Sequence, residues 1–251
     1  MGGRVATLIV ALALAAAGGA SAAERLLKPE LPIAPPMQAS ATLTVSPKVL
    51  SPSKQTPVSL RTGITFWRED GSRLPALSEL RLSFDRHLRL RLEEVPACRG
   101  GIRSQVRGNG PDKACPESIV GRGRMRAEVR FPDQPPVPLS SKATIVKGQP
   151  TGRRQKLYLH TEFSAPVTSA IVTTVEIKPI RDGVYGLEAV ATLPKIAGGA
   201  GSVTHLGLRF RKGVFTATCP RRDRLQIRQQ AFFADGTRLQ GAVFRVCDQA
   251  G

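Results

Sequence analysis

Histidine is scarce in this 251-residue chain, which has only His87, His160 and His205. Aromatic residues make up 5% of it, with one tryptophan and two tyrosines, and acidic residues number 19 against 37 lysines and arginines. Cysteine occurs four times, at Cys98, Cys115, Cys219 and Cys247, and long apolar runs of helical period are missing. Each shortage closes off a chemistry. Few histidines leave little material for acid–base dyads or imidazole-rich metal centres. Thin aromatic content gives no stacking platform for single-stranded nucleic acid. No cysteine stands in C-x-x-C, which argues against redox catalysis of the thioredoxin kind and against a zinc ribbon. No G-x-S-x-G elbow is present. The residues supply no catalytic set, metal site or cofactor fingerprint.

What is present starts with an N-terminal leader. Residues 1–23, MGGRVATLIVALALAAAGGASAA, carry a positive charge at Arg4, an apolar run from Val5 to Ala17 and small residues before the end. That order predicts a signal peptide cleaved after Ala22 or Ala23. The run falls short of the roughly 20 apolar residues a membrane span needs. A secreted chain is therefore expected, with no transmembrane segment after cleavage. Prolines at 29, 32, 35 and 36 then predict an extended tether over 24–41, followed by a single β domain over 42–251.

In an exported chain an even cysteine count reads as disulfides, and four cysteines permit three pairings. The expectation adopted is the sequence-local one. Cys98 with Cys115 would pin CRGGIRSQVRGNGPDKAC, and Cys219 with Cys247 would tie the last strands together.

The apolar period is two nearly throughout. Met125, Ala127, Val129 and Phe131 alternate with Arg124, Arg126, Glu128 and Arg130; Leu157, Leu159 and Phe163 alternate with Tyr158, His160 and Glu162. Val58, Leu60, Ile64 and Phe66 share one face, with Trp67 on the other. Asp70-Gly71, Asp182-Gly183 and Asp235-Gly236 each separate two strand-like runs and predict three hairpins. LRLSFDRHLRLRLEE reads as a fourth, turning at Asp85-Arg86-His87, because one long strand would bury Arg86. The prolines of FPDQPPVPLSSK predict a crossing loop instead of a central strand. The sum is an all-β protein, an antiparallel two-sheet sandwich or flattened barrel of about a dozen strands.

Gly198-Gly199-Ala200-Gly201 resembles a phosphate cradle only superficially. A P-loop needs a lysine after its last glycine and a helix facing the anion, whereas this stretch enters a strand through Ser202, Val203 and Thr204. It reads as a turn. His160 and Glu162 share one strand face about 7 Å apart and form the one local pair that could join a hydrolytic or metal-dependent site. On a polar strand face the same pair is ordinarily solvated.

Basic residues form two denser groups. Arg122, Arg124, Arg126 and Arg130 lie on one strand; Arg209, Arg211, Lys212, Arg221, Arg222 and Arg224 lie toward the C-terminus. Side by side they would hold a polyanion by counterion release; apart, they would only protect strand edges. Formal net charge is +18. In an exported protein such an excess favours an anionic wall polymer or acidic glycan over nucleic acid.

The runs AIVTTVEIKPIRDGVYGLEAVATLPKIAGGAGSVTHLGLRF, FPDQPPVPLSSKATIVKG, TATCP and FFADGTRL resemble a group of secreted proteins that recurs in high-GC Gram-positive soil bacteria. The resemblance covers about Val45 to Cys247. It implies export, a cysteine in VPAC and another in ATCP, and it carries no activity, ligand or catalytic residue with it. Three functions follow as expectations: a non-enzymatic β protein attached to anionic envelope polymer or holding a ligand between its sheets, an extracellular hydrolase or metal-dependent enzyme using His160 and Glu162, or a protein–protein interaction module with an apolar patch.

Overall fold

Alternation of apolar and polar residues commits this chain to strands, and long-range pairing rolls them up. The computed structural model describes residues 25–29, 37–99, 110–152, 154–163, 169–221 and 224–249. The leader, residues 1–23, lies outside them. The strands are β1 (Arg25–Pro29), β2 (Met37–Ser46), β3 (Val49–Leu50), β4 (Thr56–Arg68), β5 (Leu77–Asp85), β6 (Leu88–Leu90), β7 (Ile119–Val129), β8 (Val137–Lys147), β9 (Gln155–Phe163), β10 (Ser169–Asp182), β11 (Tyr185–Thr192), β12 (Gly201–Ala217), β13 (Arg224–Phe233), β14 (Arg238–Val246) and β15 (Asp248–Gln249). One helical turn, α1, spans Pro111–Ala114.

Thirteen strands form one sheet in the order β4-β2-β1-β14-β13-β5-β11-β10-β9-β8-β7-β12-β6, and β4 also pairs with β12. That extra pairing brings the two ends of the sheet together. Pairing within it is antiparallel, so the expected all-β class is formed as a nearly closed, flattened barrel. The weakest link is β1, which reaches β14 through Lys28 and Pro29 alone. Inward aromatic residues meet in the middle: Phe215 of β12 lies tilted against Phe84 of β5 at 5.3 Å and edge-on to Phe210 at 5.1 Å, and Phe66 meets Phe233 edge-on at 5.3 Å. Outward positions on β7 and β12 carry arginine, the reverse of the lipid-facing pattern of transmembrane barrels.

Both sequence-local disulfides form, Cys98–Cys115 and Cys219–Cys247. They suit an oxidising, extracellular compartment. Among the described residues no helix is long and apolar enough to cross a membrane.

Several expectations need correction. Residues 37–41 are not tether: Met37, Ala39 and Ala41 point into the core as the first half of β2, and 25–29 pair as β1. Two of those three inward side chains are alanines, too small to announce a strand beside so many prolines. Asp182-Gly183 and Asp235-Gly236 do make hairpins, β10–β11 and β13–β14. Asp70-Gly71 does not. Its turn is tight, with Gly71 at φ 66°, but β4 pairs with β2 and β12 while β5 pairs with β11 and β13. The chain crosses the barrel there, burying Leu74 on the way.

The turn at Arg86-His87 is where expected, held by Asp85, whose carboxylate accepts from the His87 backbone N–H at 3.0 Å and lies 2.9 Å from His87 Nδ1. It is no hairpin, because β6 pairs with β12 instead of β5. FPDQPPVPLSSK is no crossing loop either. Val137 opens β8, which lies between β7 and β9, and Pro138 is tolerated because it sits at the strand's start. Phe131, expected on the inner face of β7, lies beyond the strand's end and is 46% exposed.

Candidate polyanion groove

β7, β12, β4 and β2 are consecutive neighbours, so their outward residues fall into rows across the barrel wall. Arg122, Arg209, Arg61 and Thr44 make one row. Two residues along each strand, the next row is Arg124, Gly207, Gly63 and Thr42, and the one after is Arg126, His205, Thr65 and Ser40. With strands about 4.8 Å apart and same-face residues about 6.8 Å apart, the rows cover a patch of roughly 14 by 14 Å. Gly207 and Gly63 bring no side chain to its centre. The result is a groove of about 1150 Å³, lined by Arg61, Arg122, Arg124, Arg209, Arg211 and Lys212 over a glycine floor.

The floor depends on close strand approach. A Cβ built on Gly123 of β7 would lie 2.0 Å from the carbonyl oxygen of Gly207 on β12, and one on Gly121 would lie 2.8 Å from that of Arg209. Both clashes are with backbone, which cannot step aside. Gly123→Ala is expected to cost about 3 kcal/mol, at the upper end of overpacking penalties, read as a shift in the urea midpoint.

Arg122 is held by Asp112 of α1, whose carboxylate accepts from two guanidinium nitrogens. The Arg122 hydrogen bond holds that carboxyl below its ordinary range. No such restraint acts on the rest: among the described residues no carboxylate pairs with Arg61, Arg124, Arg126, Arg209, Arg211 or Lys212. Here the two basic groups read from the sequence converge, joined by Arg61, whose isolation on β4 hid it. The other predicted residues stay away. Arg130 is tied to Glu128 and donates to the Gly71 carbonyl at 3.1 Å. Arg221 follows the Cys219 disulfide in an exposed turn, Arg224 lies on β13 over the Phe244 ring at 5.8 Å, and Arg222 falls outside the described residues.

His205 borders the groove with Nδ1 2.9 Å from Thr65 Oγ1. Burial, then the nearby Arg126 charge, pushes its pKa down. His160 lies on the outer face of β9 yet is only 4% exposed, and burial pushes its pKa down too. On the same face Cys98 and Cys115 pack with Ile119, Val146 and Tyr158, and the Asp112 charge of α1 reaches the imidazole. The solvated strand face expected for His160 is therefore a buried one.

With both imidazoles favoured neutral in the fold, the unfolded chain binds protons first, near pH 6.5. Stability is then complete above that pH and declines as pH falls toward the lower folded values. Urea midpoints measured from pH 7.5 to 5 are expected to decline, and His160→Gln with His205→Gln to flatten the decline.

Glu162 shares the outer face with His160 but is exposed, and among the described residues no three His, Cys, Asp or Glu side chains gather as a metal-binding group. The glycine stretch at 198–201 forms a turn, with Gly198 and Gly199 at φ 67° and 103°, where the chain leaves β11 for the opposite wall. Fold and site together define a flattened antiparallel barrel carrying a cationic groove on its wall. No protein-family model, curated protein or solved structure matches the chain.

Proposed function

We propose that this protein is an exported, non-enzymatic binder of anionic polymer, holding a phosphate-bearing wall polymer or an acidic glycan in the groove of β7, β12 and β4. The observation that carries the reading is the convergence on one groove of five arginines and lysines, Arg61, Arg124, Arg209, Arg211 and Lys212, that have no acidic partner among the described residues. Like charges so close repel one another, and an extended anion relieves that repulsion while releasing its own counterions. The cations spread over a wide exposed surface instead of closing on a point, which suits a chain better than a single small anion. Among the described residues no exposed aromatic side chain lines the groove to stack bases.

The apolar leader and the resemblance to an exported group support a location outside the cell, and the disulfides agree with it. The interaction-module reading has less behind it. Among the described residues the exposed large hydrophobics are Val49, Phe131 and Val246, too few for an apolar patch of several hundred Å².

Titration with fluorescent polyphosphate and with polygalacturonate, each at rising sodium chloride, tests the proposal. Expected is binding whose logarithm falls linearly with log salt and vanishes by 1 M, with neutral dextran inert, on the order of the screening that counterion release implies. Absence of binding to both polyanions at low salt, or retention through 1 M salt, would overturn it.

A further inference from the structure

The barrel is not packed evenly. In the wall built from β2, β4, β13 and β14, inward side chains such as Ala39, Val58, Leu60, Leu225 and Ile227 are fully buried. Across the interior, on β5, β10 and β11, the inward Leu82, Val175, Leu187 and Ala191 are only partly buried although they pack against the core. They face a wholly apolar chamber that extends to Leu157, Leu159 and Phe210 and holds about 50 Å³ of free space. Close-packed interiors rarely leave such a gap between leucines.

A second space adjoins the chamber. At one end of the barrel, β6 crosses opposite the starts and ends of β9, β10 and β11, leaving a cleft of about 360 Å³. Leu90, Ile177 and Leu187 line both spaces, so these three side chains stand between the cleft and the apolar lumen. Its rim is polar and cationic, with Arg86, Arg89 and Gln155. Arg86 is seated there by Gly186, where a Cβ would come within 3.0 Å of the Arg86 backbone. Among the described residues neither guanidinium has an acidic partner, and the buried Oε1 of Gln155 lacks a hydrogen-bond donor.

We infer that this end of the barrel binds a single-chain amphiphile with an anionic head, its apolar chain running through the cleft past Leu90, Ile177 and Leu187 into the lumen and its head between Arg86 and Arg89. A cleft of this size suits a small ligand, with apolar walls for affinity and a few polar groups for orientation. A carboxylate or a phosphate monoester head fits equally, since both accept from guanidinium. The cleft shares no residue with the groove, and the lumen behind it meets the groove's lining only at Leu208 and Phe210.

Isothermal titration of the full chain with dodecanoate, dodecyl phosphate, dodecanol and dodecyltrimethylammonium, all below their aggregation concentrations, tests the inference. Expected are binding of the two anions at one site per chain, at least tenfold weaker binding of the alcohol and none of the cation. Octanoate should bind at least tenfold more weakly than dodecanoate, because its chain leaves the lumen unfilled. Arg86→Gln with Arg89→Gln should weaken the anions at least tenfold and leave dodecanol unchanged; Leu187→Trp should block every chain. Should Leu187→Trp fail to fold, the arginine pair and the chain-length series still decide. Equal binding of octanoate and dodecanoate, saturation at many molecules per chain, or binding indifferent to the arginine pair would overturn the site. Arg61→Gln with Arg209→Gln, which strikes the groove, should leave dodecanoate binding intact, so failure of either reading is distinguishable from failure of the other.

Discussion

Replacing Arg61, Arg124 and Arg209 together with glutamine is expected to weaken polyphosphate binding about a hundredfold at low salt, at roughly 1 kcal/mol for each guanidinium–anion pair removed. The slope of log affinity against log salt should flatten by about two to three, because three fewer counterions are released. These three are chosen because none has an acidic partner among the described residues, so replacing them strands no carboxylate. Stability should stay within about 0.5 kcal/mol of the parent, as for most surface changes. Arg122 is left in place because Asp112 holds it and its removal would disturb α1. The matching control replaces Lys54, Arg181 and Arg221 with glutamine, exposed residues that do not line the groove and have no acidic partner among the described residues. Net charge drops equally in both variants. Fluorescence titration in which the two weaken binding alike would show that overall charge, and not the groove, attracts the polymer.

Removing the Cys219–Cys247 bridge by double serine substitution is the second large effect. The cysteines are 28 residues apart, and the chain-entropy relation puts the loss at about 3.5 kcal/mol. For a domain of this size that is a fall of about 10 °C in Tm by calorimetry. The bridge joins the chain just past β12 to the chain just past β14. Around it the Cys219 N–H donates to the Ser51 carbonyl at 3.0 Å, and β15 pairs with β3 through two residues only. So short a parallel pair cannot persist without the clamp. Cys98–Cys115, 17 residues apart, closes a ring of similar entropic value. Its removal should read out differently: the cluster it forms with Ile119, Val146 and Tyr158 loosens, the burial that depresses nearby His160 weakens, and that imidazole's pKa rises toward the ordinary value, visible by NMR titration.

The sequence carried the strands but not their neighbours. Met125, Ala127 and Val129 are buried and Arg122, Arg124 and Arg126 exposed, as their alternation requires. Signals that misled were those whose local meaning depends on a distant partner. Asp70-Gly71 makes the turn its residues favour and still joins strands on opposite walls. Leu88 and Leu90 read as the return arm of a hairpin until β12 offers them an edge. The glycines at 121 and 123 let two strand backbones approach, a role that shows only once β7 and β12 are paired.

Composition and period two settle what kind of object this chain becomes: all strand, apolar within and arginine without. The disulfide pairing expected from cysteine spacing was also the one formed. Those properties are local, repeated every second residue or set by short loops. The groove is another matter. Arg122, Arg209 and Arg61 are separated by 61 residues or more along the chain and share a row only because β12 pairs with both β7 and β4. Strand pairing depends on which hydrogen-bonding edges meet once the interior has collapsed, and no window of sequence contains that information.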